Sequence, residues 1–203
     1  GIERWVHMSA LGARPDAVSD YHKSKWQGEQ AVRDSGLSHV IFRPSIIHGP
    51  DGEFMQMLRD FGRGIVPPFM PYFGGGALGL AEPTKLQPVY VNDVAKVFVE
   101  ALVNDKATSK VYDVVGPNVV DWPALYHMAQ KYIGTSYPKP VVPVPAWFAK
   151  TMADLRLPGL PFNRSQVEMS QEDSVGDPQP MVEDFSLDLS PLEATMAEYG
   201  QRM

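Results

Sequence analysis

Met8-Ser9-Ala10-Leu11-Gly12-Ala13 is followed, after a short polar loop, by Tyr21-His22-Lys23-Ser24-Lys25. A serine stands twelve residues before a tyrosine, and a lysine stands four residues after it. Residues four apart on a helix share a face. A helix through this segment therefore sets Tyr21 beside Lys25 and leaves Lys23 on another side. A phenol beside an ammonium is a proton-transfer pair, because the cation favours the phenolate and draws the tyrosine pKa down from about 10 toward neutrality. Ser9, at the end of the preceding strand, would orient a substrate oxygen against that phenol.

The flanks supply the setting. Residues 4–8 read as a buried strand ending at Ser9, and residues 11–20 read as a loop. A helix is expected from Asp20 to Ser35, stopped by Gly36. His39-Val40-Ile41-Phe42-Arg43 reads as a second buried strand, closed by Pro44. Strand, helix and strand at this length make a βαβ unit with parallel strands and a right-handed crossover. Ligands of such sheets sit at the carboxyl ends of the strands. Ser9 and the Pro44-Ser45-Ile46 segment are thus expected to open on one cleft.

Further along, Phe54, Met57, Leu58 and Phe61 recur at helical spacing over residues 53–63. Residues 67–83 read as a Pro/Gly-rich loop that could cover the cleft, and residues 86–91 as a short strand. Asn92 is expected to cap a helix over 93–103, and residues 111–115 form another strand. Asp121 caps a helix to Ile133, with Pro123 in its first turn. An extended run at 141–145 precedes a short helix over 146–155. Asn163 and Gln166 stand at capping-box spacing, and Ser190-Pro191-Leu192-Glu193 signals a last helix to near Tyr199.

The 203 residues suffice for one sizeable core with a smaller appendage. A net charge of -6 gives no electrostatic footprint for nucleic acid. With no cysteine, thiolate metal sites are excluded, and the histidines show no metal-ligand spacing. No apolar run is long enough for a membrane span. Gly74-Gly75-Gly76-Ala77-Leu78-Gly79 matches G-x-G-x-x-G by letter. Prolines precede it and Pro83 follows, so it lacks the strand and helix that a pyrophosphate turn needs.

Ser9, Tyr21 and Lys25, then Arg43-Pro44-Ser45-Ile46-Ile47-His48-Gly49-Pro50, then Gln87-Pro88-Val89-Tyr90-Val91-Asn92-Asp93-Val94-Ala95, together resemble the extended and atypical short-chain dehydrogenase/reductases of the NAD-dependent epimerase/dehydratase type. Ser9-Ala10-Leu11-Gly12-Ala13, Gly74-Gly75-Gly76 ahead of Lys85-Leu86-Gln87-Pro88, and Val144-Pro145-Ala146-Trp147 resemble the branch that holds the dehydrogenase-like accessory subunit of respiratory complex I and its bacterial relatives. The resemblance implies an α/β fold: a partial, Rossmann-like parallel sheet with a smaller, mostly helical substrate-binding subdomain. Residues 1–117 would form the sheet domain, with an inserted loop at 64–86, and residues 118–203 the subdomain. The family carries its glycine-rich nucleotide turn well upstream of the serine. The chain thus looks like the C-terminal portion of such a protein.

Carried over by residue, Ser9, Tyr21 and Lys25 would be catalytic. Tyr21 would be the general acid/base, and Lys25 would also hold the nicotinamide ribose. Pro44, Ser45, Ile46 and Ile47 would line the nicotinamide pocket, and His48 would face substrate. The cofactor implied is NAD or NADP, and the partners implied are a small-molecule substrate and either a second copy or a larger complex. The location implied is a bacterial cytoplasm or an organelle matrix. Three readings stay open: an NAD(P)-dependent oxidoreductase or epimerase, a non-catalytic dinucleotide-binding scaffold or sensor subunit, and a truncated, inactive fragment.

Overall fold

The strand after the first helix is buried on both faces, and its side chains alternate in direction. Val40 and Phe42 face one side of the sheet and Ile41 and Arg43 the other, as the two-residue period of a strand requires. The computed structural model describes residues 1–64, 68–134, 137–155 and 162–203. In chain order the elements are β1 (Arg4–Met8), α1 (Asp20–Asp34), β2 (Ser38–Pro44), β3 (Ile47–His48), α2 (Glu53–Arg63), β4 (Met70–Gly74), β5 (Lys85–Leu86), β6 (Val89–Tyr90) and α3 (Val91–Glu100). They continue with β7 (Lys110–Val114), β8 (Val120–Asp121), α4 (Trp122–Ile133), β9 (Val141–Pro145), α5 (Ala146–Asp154), α6 (Arg164–Met169), α7 (Gln179–Phe185) and α8 (Leu192–Gly200).

The chain divides into two units. One comprises Gly1–His48, Gln87–Val119 and Ser174–Leu192; the other comprises Gly49–Leu86, Val120–Asp173 and Glu193–Met203. The units interleave along the chain, whereas the sequence reading placed one boundary at 117/118. The last segment of the first unit accounts for the difference. It carries α7, whose Met181 and Phe185 pack into the same core as Val40, Phe42, Tyr112 and Val114 of the sheet. Nothing local in the sequence announces that return.

The first unit holds a three-stranded parallel sheet in the order β1-β2-β7. Its parallel strands end together. Ser9 N donates to Phe42 O, Leu11 N to Pro44 O and Ser45 N to Val114 O, so the chain segments leaving all three strands share one carboxyl edge. Val94 and Val97 of α3, with Ala101 at its C-cap, cover one face with α7, and α1 lies on the other through contacts to β1 and β2. Helix α1 begins as the sequence implies: the Ser19 side chain accepts from His22 N, meeting one of the orphan donors of the first turn. Helix α3 begins one residue before the predicted cap. Tyr90 is its N-cap, and the Asn92 amide donates to the Tyr90 hydroxyl instead of capping.

In the second unit, β4 pairs in parallel with β9, and Ala146, Ala149 and Val167 pack with Phe73, Val144 and Phe162 beside that pair. The stretch read as an uninterrupted loop over 67–83 therefore contains a strand. Its Pro71 and the prolines of β9 disguise both strands, since proline is tolerated in a sheet only where no ladder donor is needed. Residues 65–67, at the start of that stretch, lie outside the described residues. The Asp121 cap and the reciprocal Asn163–Gln166 capping box both form. Ser190, which belongs to the first unit, instead sends its hydroxyl and its N–H to Asp93 of that same unit.

The glycine motif has a packing explanation. A Cβ on Gly74 would lie 1.8 Å from Gly79 O, and one on Gly79 would lie 2.9 Å from Pro145 N. Gly76 and Gly79 also hold φ of +76° and +73°. The turn folds back on itself and onto β9, with the Trp147 indole donating to Ala77 O. No helix follows it, so it offers no helix N-terminus to a phosphate.

Candidate functional site

Everything described here belongs to the first unit. Tyr21 and Lys25 lie one turn apart on α1, and the Lys25 ammonium stands 5.6 Å from the Tyr21 ring centre. That ammonium donates to Met8 O at 3.2 Å, the last carbonyl of β1. Lys23 lies elsewhere and pairs with Asp20 at 3.5 Å. Tyr21 is 44% exposed, so its side chain is accessible from solvent. Partial burial raises its pKa instead of lowering it. The expectation of a depressed pKa fails for a geometric reason: Lys25 is aimed at a backbone carbonyl and meets the phenol through its ring.

Ser9 is placed differently from the sequence expectation. It is 1% exposed, and its hydroxyl donates at 2.6 Å to Glu29, which is fully buried. Arg43 donates to the same carboxylate twice, from Nε and from a terminal nitrogen, each at 2.7 Å. Arg33 adds a contact at 3.7 Å, and the Arg43 guanidinium also lies 5.9 Å from the Trp26 ring centre. Burial pushes the Glu29 carboxyl up, but the hydrogen bonds from Arg43 and Ser9 and the charges of Arg43 and Arg33 outweigh it, and the net pKa is below the ordinary value. An ionised carboxylate only accepts. The direction of the Ser9 bond is therefore fixed, and what Ser9 can still offer another group is a lone pair.

The Pro44–Ile47 segment sits at the same carboxyl edge. Pro44 closes β2, and the Ser45 hydroxyl is engaged by Ser174, at 2.8 Å from its Oγ and 3.1 Å from its carbonyl. Ile46 O accepts from Val89 N, and Ile47 packs on the core. His48 is 1% exposed, with the Tyr90 ring 5.5 Å away. Burial brings its pKa down to about 4, against the opposing pull of Asp93. The imidazole is a closed, neutral group and not a surface for direct ligand contact in this conformation.

No protein-family model matches the chain. Curated relatives do. The mitochondrial NADH dehydrogenase [ubiquinone] 1 alpha subcomplex subunit 9 of Mus musculus is 29% identical over 210 residues, covering the whole of this chain and 52% of that protein. The protein of the same name from Arabidopsis thaliana is 31% identical over 170 residues, 80% of this chain and 39% of that one. The UDP-glucose 4-epimerase of Vibrio cholerae is 27% identical over 176 residues, 76% of this chain and 50% of its own. These relatives bear out the resemblance to short-chain dehydrogenase/reductases of the epimerase/dehydratase type. Solved structures share the fold of this chain. UDP-glucose 4-epimerase of Thermotoga maritima matches all of it and 64% of that chain, with a TM-score of 0.68 at 16% identity. A short-chain dehydrogenase/reductase superfamily protein of Agrobacterium tumefaciens, solved with bound NAD, matches all of it and 68% of that chain at a TM-score of 0.62 and 16% identity. The chain spans about half the length of the curated relatives it matches.

The sequence reading passed over Glu29 and Arg43 as site residues. Glu29 continues the Tyr21–Lys25 stripe by one further turn, and Arg43 lies on the α1-facing side of β2. A carboxylate on the face of a helix that must pack on a strand was the available signal. Fit to a dinucleotide is uneven. The open phenol and the fixed ammonium suit a ribose with its hydroxyl donors and acceptors. Among the described residues no strand leads through a glycine turn into a helix that could take the pyrophosphate.

Proposed function

We propose that this chain is the nicotinamide-side portion of an NAD(P)-binding subunit that works within a larger assembly. The observation that carries the reading is the Lys25 ammonium, held on Met8 O beside the open Tyr21 ring at the carboxyl edge of a parallel sheet. Tyr21 and Lys25 would hold the nicotinamide ribose, and Pro44, Ser45, Ile46 and Ile47 would flank the nicotinamide through backbone and apolar atoms. The pyrophosphate would be met by groups other than the described residues. Two features favour holding over turnover. The Tyr21 phenol is harder to ionise than a free tyrosine, and the Ser9 hydrogen is committed to Glu29. Similarity to complex I subunits supports membership of a larger assembly, and the mitochondrial names of those relatives support an organelle matrix.

Hydride transfer is a second reading, favoured by the exposure of Tyr21. The cofactor, when bound, would supply the hydride, and Tyr21 would give its hydroxyl proton to the substrate oxygen. His48 would act only from behind its neighbours. The test is titration of the protein with NADH and NADPH, read by quenching of tryptophan fluorescence. Saturable binding that Lys25→Met weakens supports the holding role, and absence of binding to both sinks it. Turnover of an alcohol or ketone panel, abolished by Tyr21→Phe while binding survives, would establish the enzyme instead.

A further inference from the structure

Met8, the last residue of β1, and Ser9, which follows it, are tied to successive turns of α1. Lys25 donates to Met8 O, and Ser9 donates to Glu29, one turn farther along the helix. Glu29 is in turn tied to the end of β2 by both bonds from Arg43. A fully buried carboxylate thus joins three elements at the edge where Tyr21 and Lys25 stand. Carboxylates are rarely buried completely, and removing one partner of such a pair leaves an uncompensated charge. No part of the proposed ribose contact uses Glu29 directly.

We propose that Glu29 is a positioning residue that keeps the Lys25 ammonium on Met8 O and beside Tyr21. With Glu29 anchored to both strand ends, α1 cannot slide or rotate against β1, and the reach of Lys25 to a single backbone acceptor is set. Without it, the Lys25 bond to Met8 O loses its neighbouring anchor, and a lysine side chain has four rotatable bonds over which to lose that bond. The consequence for affinity rests on the reading that Lys25 meets the cofactor; the consequence for the ammonium itself does not.

Two measurements on the whole chain test this. The first is the NMR signal of the Lys25 ammonium in uniformly nitrogen-15-labelled protein, assigned by its loss in Lys25→Arg. A bonded ammonium exchanges its protons slowly, so the signal should be present in the unsubstituted protein. It should vanish in Glu29→Gln while the backbone amide spectrum stays dispersed. An unchanged signal overturns the proposal. If Glu29→Gln does not fold, Ser9→Ala, which removes only the tie to β1, is read for the same broadening.

The second measurement is NADH and NADPH affinity in a double-substitution cycle. Glu29→Gln should weaken binding roughly tenfold, the scale seen when a group that orients a ligand-binding side chain is removed. It should add nothing in the presence of Lys25→Met, because it acts through that lysine. Additive losses overturn the proposal. Val97→Ala, a core change under α3, serves as the control for stability alone and should leave affinity unchanged. If the unsubstituted protein binds neither nucleotide, the cofactor reading fails, and the ammonium signal still decides the positioning role.

Discussion

Replacing Arg43 by methionine isolates the energetics of the buried carboxylate. Arg43 gives Glu29 two charge-assisted hydrogen bonds at 2.7 Å, and its loss leaves a fully buried carboxylate with Ser9 and the more distant Arg33. Breaking a buried pair from one side costs about 3–5 kcal/mol. The arginine side chain is 24% exposed, which admits water and argues for the low end. Protonation sets a ceiling on the penalty. Holding a carboxyl of ordinary pKa 4.5 neutral at pH 7 costs about 3.4 kcal/mol, from 1.36 kcal/mol for each pH unit. About 3 kcal/mol is therefore expected at pH 7, an urea midpoint lower by about 1.5 M for a slope of about 2 kcal/mol per molar. The pH dependence follows by sign. In the parent protein the folded pKa of Glu29 is depressed, so its contribution is present above 4.5 and fades as pH falls through the folded value. In Arg43→Met the folded pKa is raised, so the penalty is present above its new folded value and disappears as pH falls through 4.5. The gap between the two proteins should thus narrow by most of its size between pH 7 and pH 4. A loss under 1 kcal/mol at pH 7, or a gap that does not change with pH, would refute the reasoning.

Gly74→Ala should prevent accumulation of folded protein or cost more than about 3 kcal/mol by urea titration, because the new Cβ would overlap Gly79 O at 1.8 Å. NMR of the His48 imidazole should show it neutral at pH 6 and titrating near 4. The unfolded chain takes up that proton at about 6.5, so stability should decline as pH falls from 6.5 to 4, and His48→Gln should remove that part of the decline. Tyr21→Phe should leave stability within about 0.5 kcal/mol, as befits a half-open surface ring, while altering nucleotide affinity; a large stability loss with unaltered affinity would make Tyr21 a packing residue.

What was legible in the sequence was what local chemistry encodes. The β1–α1–β2 unit announced itself through two apolar runs, a serine cap and a glycine stop, and a four-residue spacing is enough to put Tyr21 and Lys25 together. The direction in which a side chain points is decided by partners far away in sequence. Ser9 meets Glu29 across twenty residues and Arg43 reaches Glu29 across fourteen, and no periodicity predicts either. Helix α7 was missed because seven residues containing a proline and two carboxylates show no stripe, and its Met181 and Phe185 gain meaning only from the sheet they cover. Strand β4 was hidden by Pro71, and β9 was read only as extended, because a parallel partner contributed by a distant segment cannot be read from one window.

The two functional readings make different demands on one hydrogen atom. A carbonyl about to be reduced needs donors on its oxygen. Ser9 supplies none while its hydrogen is bound to an ionised Glu29, and the arginine that keeps Glu29 ionised also keeps the hydrogen there. To donate to a substrate, the hydroxyl must give up a charge-assisted bond worth about 1.5–3 kcal/mol. Unless something repays it, that cost enters the barrier and slows the step by roughly 10- to 160-fold. Ser9 would also need to emerge from near-complete burial. Holding a ribose makes no such demand. Tyr21 can donate from its neutral phenol, the form that burial favours, and Lys25 is already fixed by Met8 O. The network that fixes Lys25 and holds the Ser9 hydrogen thus suits the proposed holding role, and under the hydride-transfer reading Tyr21 would have to supply the proton without help from Ser9.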